Sequence, residues 1–127
     1  MPWDIEVTDV YDAWFDCQSH DAQDAILAHL KALAVEGPSL GRPYCDTLKG
    51  TKSGKLKELR VQVSGDPYRV LFAFDSERCA ILLVGGNKRG KKRWYEIHIP
   101  QAEKLFDVWE EQRSRQRAAA QAKLRKS

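Results

Sequence analysis

Apolar and polar residues alternate over Trp3-Asp4-Ile5-Glu6-Val7, the period of a short strand with one buried face. Thr8 follows as a helix N-cap, with Asp9 and Asp12 in the first turn, where the helix dipole favours anions. Val10, Tyr11, Trp14 and Phe15 then fall on one helical stripe. Ser19 is a second N-cap with Asp21 behind it, and the helix it opens runs from His20 to about Glu36. Ile26, Leu30 and Leu33 share one face of that helix, and Gly37-Pro38 ends it. The two helices read as a hairpin that covers a sheet.

The sheet is written further on. Ser39 to Lys55 is rich in Gly, Pro, Ser, Thr and Lys and predicts a long loop, with a turn at Thr47-Leu48-Lys49-Gly50. Leu56 to Val63 is a strand with Leu59, Val61 and Val63 on one face and Glu58, Arg60 and Gln62 on the other. Ser64 to Pro67 is a turn, Tyr68 to Asp75 a strand, and Asp75 to Arg78 the turn of a hairpin. Cys79 to Gly85 is nearly all apolar, as a strand buried on both faces should be. Short polar turns between these strands predict antiparallel pairing. A helix follows with Pro100 at its first position and Ala102, Leu105, Phe106 and Trp109 on one stripe. From Gln112 the chain carries six basic and no acidic residues, and only Leu124 can anchor it, so an extended or frayed tail is expected. The string predicts an α+β domain: two N-terminal helices on a mainly antiparallel sheet of about four strands, plus a C-terminal helix.

Length and composition agree with one folded unit. A chain of 127 residues suffices for a single core, and 43% hydrophobic with 31% charged residues separates it from disordered chains. No run of about 18 apolar residues exists to make a membrane helix, so no membrane partner is expected. The first residues, MPWDIEVTD, lack a basic segment followed by an apolar one, which makes the cytoplasm the expected location. Cys17, Cys45 and Cys79 form no CxxC pair and no zinc spacing and read as free thiols in a reducing compartment.

Charge changes the picture. Residues 1–46 carry a net −7 and residues 47–127 a net +10, a split that points to a polyanion partner for the second part. Five of the seven residues from Asn87 to Arg93 are cations (Lys88, Arg89, Lys91, Lys92 and Arg93), and Trp94 and Tyr95 follow at once. An RNA phosphodiester can be cut by its own 2′-oxygen without a metal. That route needs a group to take the 2′ proton, cations for the extra phosphate charge, and a donor for the departing 5′-oxygen. Arg60 and Arg69 on adjacent strands, Lys88 and Arg89 at a strand end, and Tyr95 and His98 beyond it are the candidates, while no metal-ligating cluster is visible. Each has an ordinary alternative. Arg69 can serve as an ion-pair partner for Glu58 or Asp75, the Lys88–Arg93 run as a solvated loop, Trp94 and Tyr95 as core, and His98 as a structural or surface histidine.

The ordered set LKG (Leu48–Gly50), LKELR (Leu56–Arg60), PYRVLFAFD (Pro67–Asp75), ILLVGGNK (Ile81–Lys88), WY (Trp94–Tyr95) and IPQAEKL (Ile99–Leu105) resembles the RelE/ParE superfamily of toxins from toxin–antitoxin pairs. Within it, the set is similar to the HigB-type, phage-derived branch. The likeness covers about residues 3–110, which implies a toxin domain over 1–112 and a basic tail over 113–127. It implies ribosome-dependent cleavage of mRNA without a cofactor, held in check by a helix-turn-helix antitoxin of the HigA kind. Carried over by position, Arg69 corresponds to the phosphate-stabilising arginine, Arg89 to a second cation, and Tyr95 to a catalytic or stacking aromatic. Arg60 and Lys88 complete the catalytic candidates; Lys49, Lys57, Lys91, Lys92, Arg93, Trp94 and His98 are the RNA-binding ones. Related toxins place a histidine near the last strand, but Asn87-Lys88-Arg89-Gly90 has none and His98 lies further on. Tyrosine and lysine ordinarily titrate near ~10, so either can replace it only if its cationic neighbours shift it. Two other readings share the fold: a ParE-like protein that poisons DNA gyrase and cuts nothing, and an RNA-binding module without catalysis.

Overall fold

The computed structural model describes residues 2–126. Its elements are β1 (Asp4–Val7), α1 (Asp9–Asp16), α2 (His20–Glu36), β2 (Cys45–Thr47), β3 (Lys57–Val63), β4 (Asp66–Phe74), β5 (Cys79–Asn87) and α3 (Trp94–Lys126). One five-stranded sheet has the order β1-β5-β4-β3-β2. The β2–β3, β3–β4 and β4–β5 pairs are antiparallel, and β1 runs parallel to β5. The architecture is the expected α+β one, with two departures in strand count and direction. Cys45–Thr47 forms an edge strand inside the stretch read as loop, and the first strand makes the sheet mixed.

The caps do what the sequence asks. Thr8 accepts a hydrogen bond from the Tyr11 N–H and Ser19 from the Ala22 N–H. Thr8 also donates its hydroxyl to the Leu83 carbonyl at 2.7 Å. Leu83 sits where the β4–β5 register skips a residue, so the cap supplies the partner that the bulge removes from the ladder.

Helices cover both faces of the sheet. Tyr11, Ile26 and Leu33 from α1 and α2 pack on Leu59, Val61, Val70, Phe72 and Leu82. On the other face, Trp94, Ala102 and Phe106 of α3 pack on Leu56, Leu71, Ile81 and Leu83. Leu48, read as part of a turn, belongs to this second core. Cys45 and Cys79 are buried free thiols, and burial pushes Cys79 up to about 11.

The last helix departs most from expectation. It begins at Trp94, six residues before Pro100, and the proline lies inside it. Pro100 removes one backbone donor there, a cost offset by seating Trp94, at 2% exposure, against the bare backbone of Gly86. Nor does the basic segment fray: α3 continues to Lys126. Three arginines explain its first turns. Arg113 pairs with Asp75 and Glu77, Arg117 donates to Ser76 Oγ, and Arg115 bonds Glu111 one turn earlier. The run of alanines at 118–120 favours helix beyond them.

A Cβ at Gly86 would fall inside contact distance of the Trp94 indole. Gly86→Ala is therefore expected to cost about 1–3 kcal/mol by overpacking, read as a lower urea midpoint. A midpoint equal to wild type would show that the indole can move aside freely.

Candidate active site

The site is built across three strands and the first turn of α3. Arg60 on β3 and Arg69 on β4 are direct cross-strand partners. Two like charges so placed repel, and they need a counterion between them. Glu58, two residues before Arg60 on the same face, provides it. Its Oε1 lies 3.0 Å from Arg69 Nε and 3.3 Å from Arg60 Nε. The Tyr95 hydroxyl, from the first turn of α3, donates to the same oxygen at 2.8 Å. Arg69 Nε also approaches the Tyr95 oxygen at 3.4 Å, and Arg69 Nη1 donates to the Tyr68 carbonyl at 2.9 Å. Three donors therefore converge on one carboxylate oxygen.

Glu58 is buried at 4% exposure, and the Arg69 side chain is 13% exposed. A carboxylate at that depth is tolerated because it is paired and hydrogen-bonded; alone it would cost several kcal/mol. The ion pairing continues outward: Arg60 Nη2 lies 3.3 Å from Asp46 Oδ2 on β2, which Arg42 holds at 2.9 Å. The hydrogen bond from Arg42 holds the Asp46 carboxyl below the usual carboxylate range. Charges alternate from Arg42 to Arg69 along one line across the sheet.

Tyr95 is the group whose proton matters. Burial, and then the hydrogen bond it donates to Glu58, push its phenol above the ordinary 10; Arg69 pulls the other way and does not prevail. The shift is opposite to what a tyrosine base would need, so at neutral pH Tyr95 is a donor. Lys88 Nζ lies 5.0 Å from the centroid of its ring, a cation over the ring face.

The other candidates separate by position. Arg89 is not brought to the cluster: Asp66 binds its Nη1 at 2.6 Å, and its side chain is 73% exposed. Trp94 is not a stacking surface, because the core encloses it. His98 stacks on that indole at 4.4 Å between centroids, and its Nδ1–H donates to the Trp94 carbonyl at 2.8 Å, which makes it a structural histidine of the helix. Lys57 donates to Thr47 Oγ1 at 3.1 Å on the rim. Lys49, Lys91, Lys92 and Arg93 are exposed, Arg93 in a pair with Glu96 at 2.9 Å. Of the two partners weighed for Arg69, Glu58 is the one bound; Asp75 serves α3 at the far end of β4. Glu58 was visible in sequence as a polar-face neighbour of Arg60 and a possible partner of Arg69, but not as the centre of the cluster; Tyr44 and His29, which line the cleft beside the arginines, gave no sign. No helix among the described residues is long and apolar enough to cross a membrane.

This architecture is that of the RelE-like toxins. It superposes on a mutant of Escherichia coli RelE in the free state with a TM-score of 0.56 at 11% identity, covering 76% of this chain and 94% of that one. The toxin–antitoxin complex RelBE2 of Mycobacterium tuberculosis gives 0.53 at 16% identity over 68% and 99% of the two chains. The archaeal RelE–RelB complex of Pyrococcus horikoshii OT3 gives 0.52 at 17% over 72% and 99%. Such identities establish the fold alone. The family comes from sequence. A model described as phage derived protein Gp49-like matches residues 13–107. Toxin HigB3 of M. tuberculosis is 42% identical over 97 residues, 76% of this chain and 83% of that protein. Toxin HigB2 of the same organism is 37% identical over 106 residues, 82% of this chain but 52% of that protein, so the chain spans about half its length. The chain belongs to the Gp49-like family and is a relative of the HigB toxins.

The raised value of Tyr95 has a consequence for stability. The folded state holds the phenolic proton more tightly than the unfolded chain, so this contribution is complete below pH 10 and is lost as pH rises through the folded value. Between about pH 9 and pH 12, the urea midpoint of wild type should fall more steeply than that of Tyr95→Phe. Parallel curves would contradict the assignment.

Proposed function

We propose that this chain is a ribosome-dependent mRNA endonuclease of the cytoplasm, acting in the decoding site and inhibited by a helix-turn-helix antitoxin of the HigA kind. The observation that carries the reading is the convergence of Arg69, Arg60 and Tyr95 on the buried Oε1 of Glu58 beside an open cleft. The RelB antitoxins in the complexes of RelBE2 and archaeal RelE support a protein inhibitor for this chain too.

The reaction is transfer of the phosphoryl group to the neighbouring 2′-oxygen. A bond forms from the 2′-oxygen to phosphorus, the bond to the 5′-oxygen breaks, and the products are a 2′,3′-cyclic phosphate and a 5′-hydroxyl. Tyr95 accepts the 2′ proton only by giving up its own, and the group hydrogen-bonded to that proton is Glu58, 2.8 Å away. The pair thus works as a relay, with Glu58 as the proton sink. Arg69 faces the phosphate with its fork, where the extra charge of the phosphorane develops. Lys88, over the Tyr95 ring, donates to the departing 5′-oxygen. Arg60 holds a flanking phosphate. Lys49, Lys57, Lys91, Lys92 and Arg93 supply the positive rim that meets ribosomal RNA.

In a translating extract, Tyr95→Phe and Glu58→Gln should each lower the cleavage rate by about 10²–10⁴-fold, the range for loss of a proton-transfer group. New transcript ends should carry a 2′,3′-cyclic phosphate. Arg69→Lys keeps the charge, loses the fork, and should also slow cleavage. Full cleavage by both Tyr95→Phe and Glu58→Gln would end the relay. Intact transcripts with broken chromosomal DNA in induced cells would favour the gyrase-poisoning alternative.

A further inference from the structure

The nuclease reading uses the cationic wall of the cleft and leaves its aromatic wall unexplained. The cleft, about 480 Å³, is lined by Arg60 and Arg69 on one side and by Tyr44, His29, Pro43 and Pro67 around them. That volume lies in the range of about 300–1,000 Å³ typical of sites for small ligands.

Tyr44 stands just before β2. Its carbonyl accepts the Arg60 N–H at 2.7 Å, so its backbone is tied to the residue that carries one of the two guanidinium groups. Its ring belongs to neither core cluster and is 51% exposed. Core packing therefore does not account for a large aromatic at this point. Its ring does meet His29, whose edge-on centroid lies 5.6 Å away at 67°. The His29 ring is itself fixed, because its Nδ1–H donates to the Ala25 carbonyl one turn back in α2 at 2.8 Å. One side of the Tyr44 ring is thus braced from the helix layer, and the ring borders a cleft lined by two arginines.

We propose that Tyr44, braced by His29, is the stacking platform for one base of a single-stranded RNA whose adjoining phosphate lies on Arg60 and Arg69. A flat aromatic face beside cations is how single strands are held without sequence readout: the face takes the base and the cations take the backbone. Pro43 and Pro67 complete the lining beside the ring. The platform rests on the nuclease reading for the identity of its strand, but it makes a separate claim, that affinity in this cleft depends on a base as well as on charge.

The test is a binding cycle with a short fluorescent single-stranded RNA and a set of the same RNAs in which one abasic residue is moved along the strand. Tyr44→Ala should weaken binding of the intact RNA about tenfold, within the range for removal of one stacking aromatic, and Tyr44→Phe should match wild type. For wild type, a single abasic position should produce a similar loss, and Tyr44→Ala should lose nothing further at that position. Unchanged affinity in Tyr44→Ala, an equal loss at every abasic position, or no binding by wild type would each overturn the platform. The wild-type abasic series decides the matter even if Tyr44→Ala does not fold. Cleavage of translated mRNA by the same proteins separates the two claims. A position-specific cycle with no cleavage leaves the platform standing and removes the nuclease; cleavage with a flat cycle does the reverse.

Discussion

The site depends on one oxygen atom. Glu58 Oε1 holds Arg60, Arg69 and Tyr95 together, and it is the one carboxylate oxygen that all three share. Without it, two guanidinium groups would face each other across adjacent strands, one of them largely shut away from water, and the phenol would lose its acceptor. Burial of the carboxylate is costly by itself. The cost is met because three donors arrive from three elements, so the ion cluster also sets the first turn of α3 relative to β3 and β4. Geometry at the site and docking of the last helix are the same constraint seen from two sides.

Two features away from the cluster keep that geometry. The indole of Trp94 rests on Gly86, directly across the ladder from Arg69, and this contact fixes where α3 starts and hence where the next residue, Tyr95, points. At the other end of β4, the Asp75 carboxylate accepts from the backbone of Glu77 and Cys79, from the Trp109 indole, and lies 3.4 Å from Arg113. The helix is thus fastened at both ends of one strand pair. The arginines at 113, 115 and 117 have partners within the fold, so the positive charge of the segment is partly used for attachment, and the rest lies further on, among Lys123, Arg125 and Lys126.

What the sequence made legible was what local chemistry decides. Thr8 and Ser19 cap their helices, Gly37 ends the second, and β3, β4 and β5 follow the apolar patterns closely, because caps, breakers and periodicity act over a few residues. The missed pieces are long-range. Three residues at Cys45–Thr47 have too little pattern to mark a strand, and they become one because β3 offers them an edge. Trp94 begins a helix ahead of Pro100 because a glycine in β5 leaves room for its ring. The basic segment is helical because Asp75, Ser76 and Glu77 wait in a distant turn. In the site, Arg60, Arg69 and Tyr95 stood out by residue type and were brought together, whereas Arg89 shared their charge but answers to Asp66. Glu58 could be read as a partner for Arg69, but its place at the centre depends on Tyr95, 37 positions along the chain.

The alternation Arg42, Asp46, Arg60, Glu58, Arg69 also bears on how such a site distinguishes a bound phosphate from a reacting one. At rest each guanidinium already has a carboxylate partner, so a bound ground-state phosphodiester shares these cations with Glu58 and Asp46 and draws on only part of their charge. In the proposed cleavage, two things would change as the 2′-oxygen attacks: the phosphate would acquire further negative charge, and the proton relayed through Tyr95 would neutralise Glu58. Both would weaken the hold of Glu58 on Arg69 relative to the pull of the phosphorane, at the moment when that pull is useful. Binding energy withheld from the ground state would then be delivered to the transition state, which is the condition for accelerating a reaction rather than only holding its substrate. In the proposed reaction, the buried carboxylate that gathers three donors in the fold would also be the switch that releases one of them.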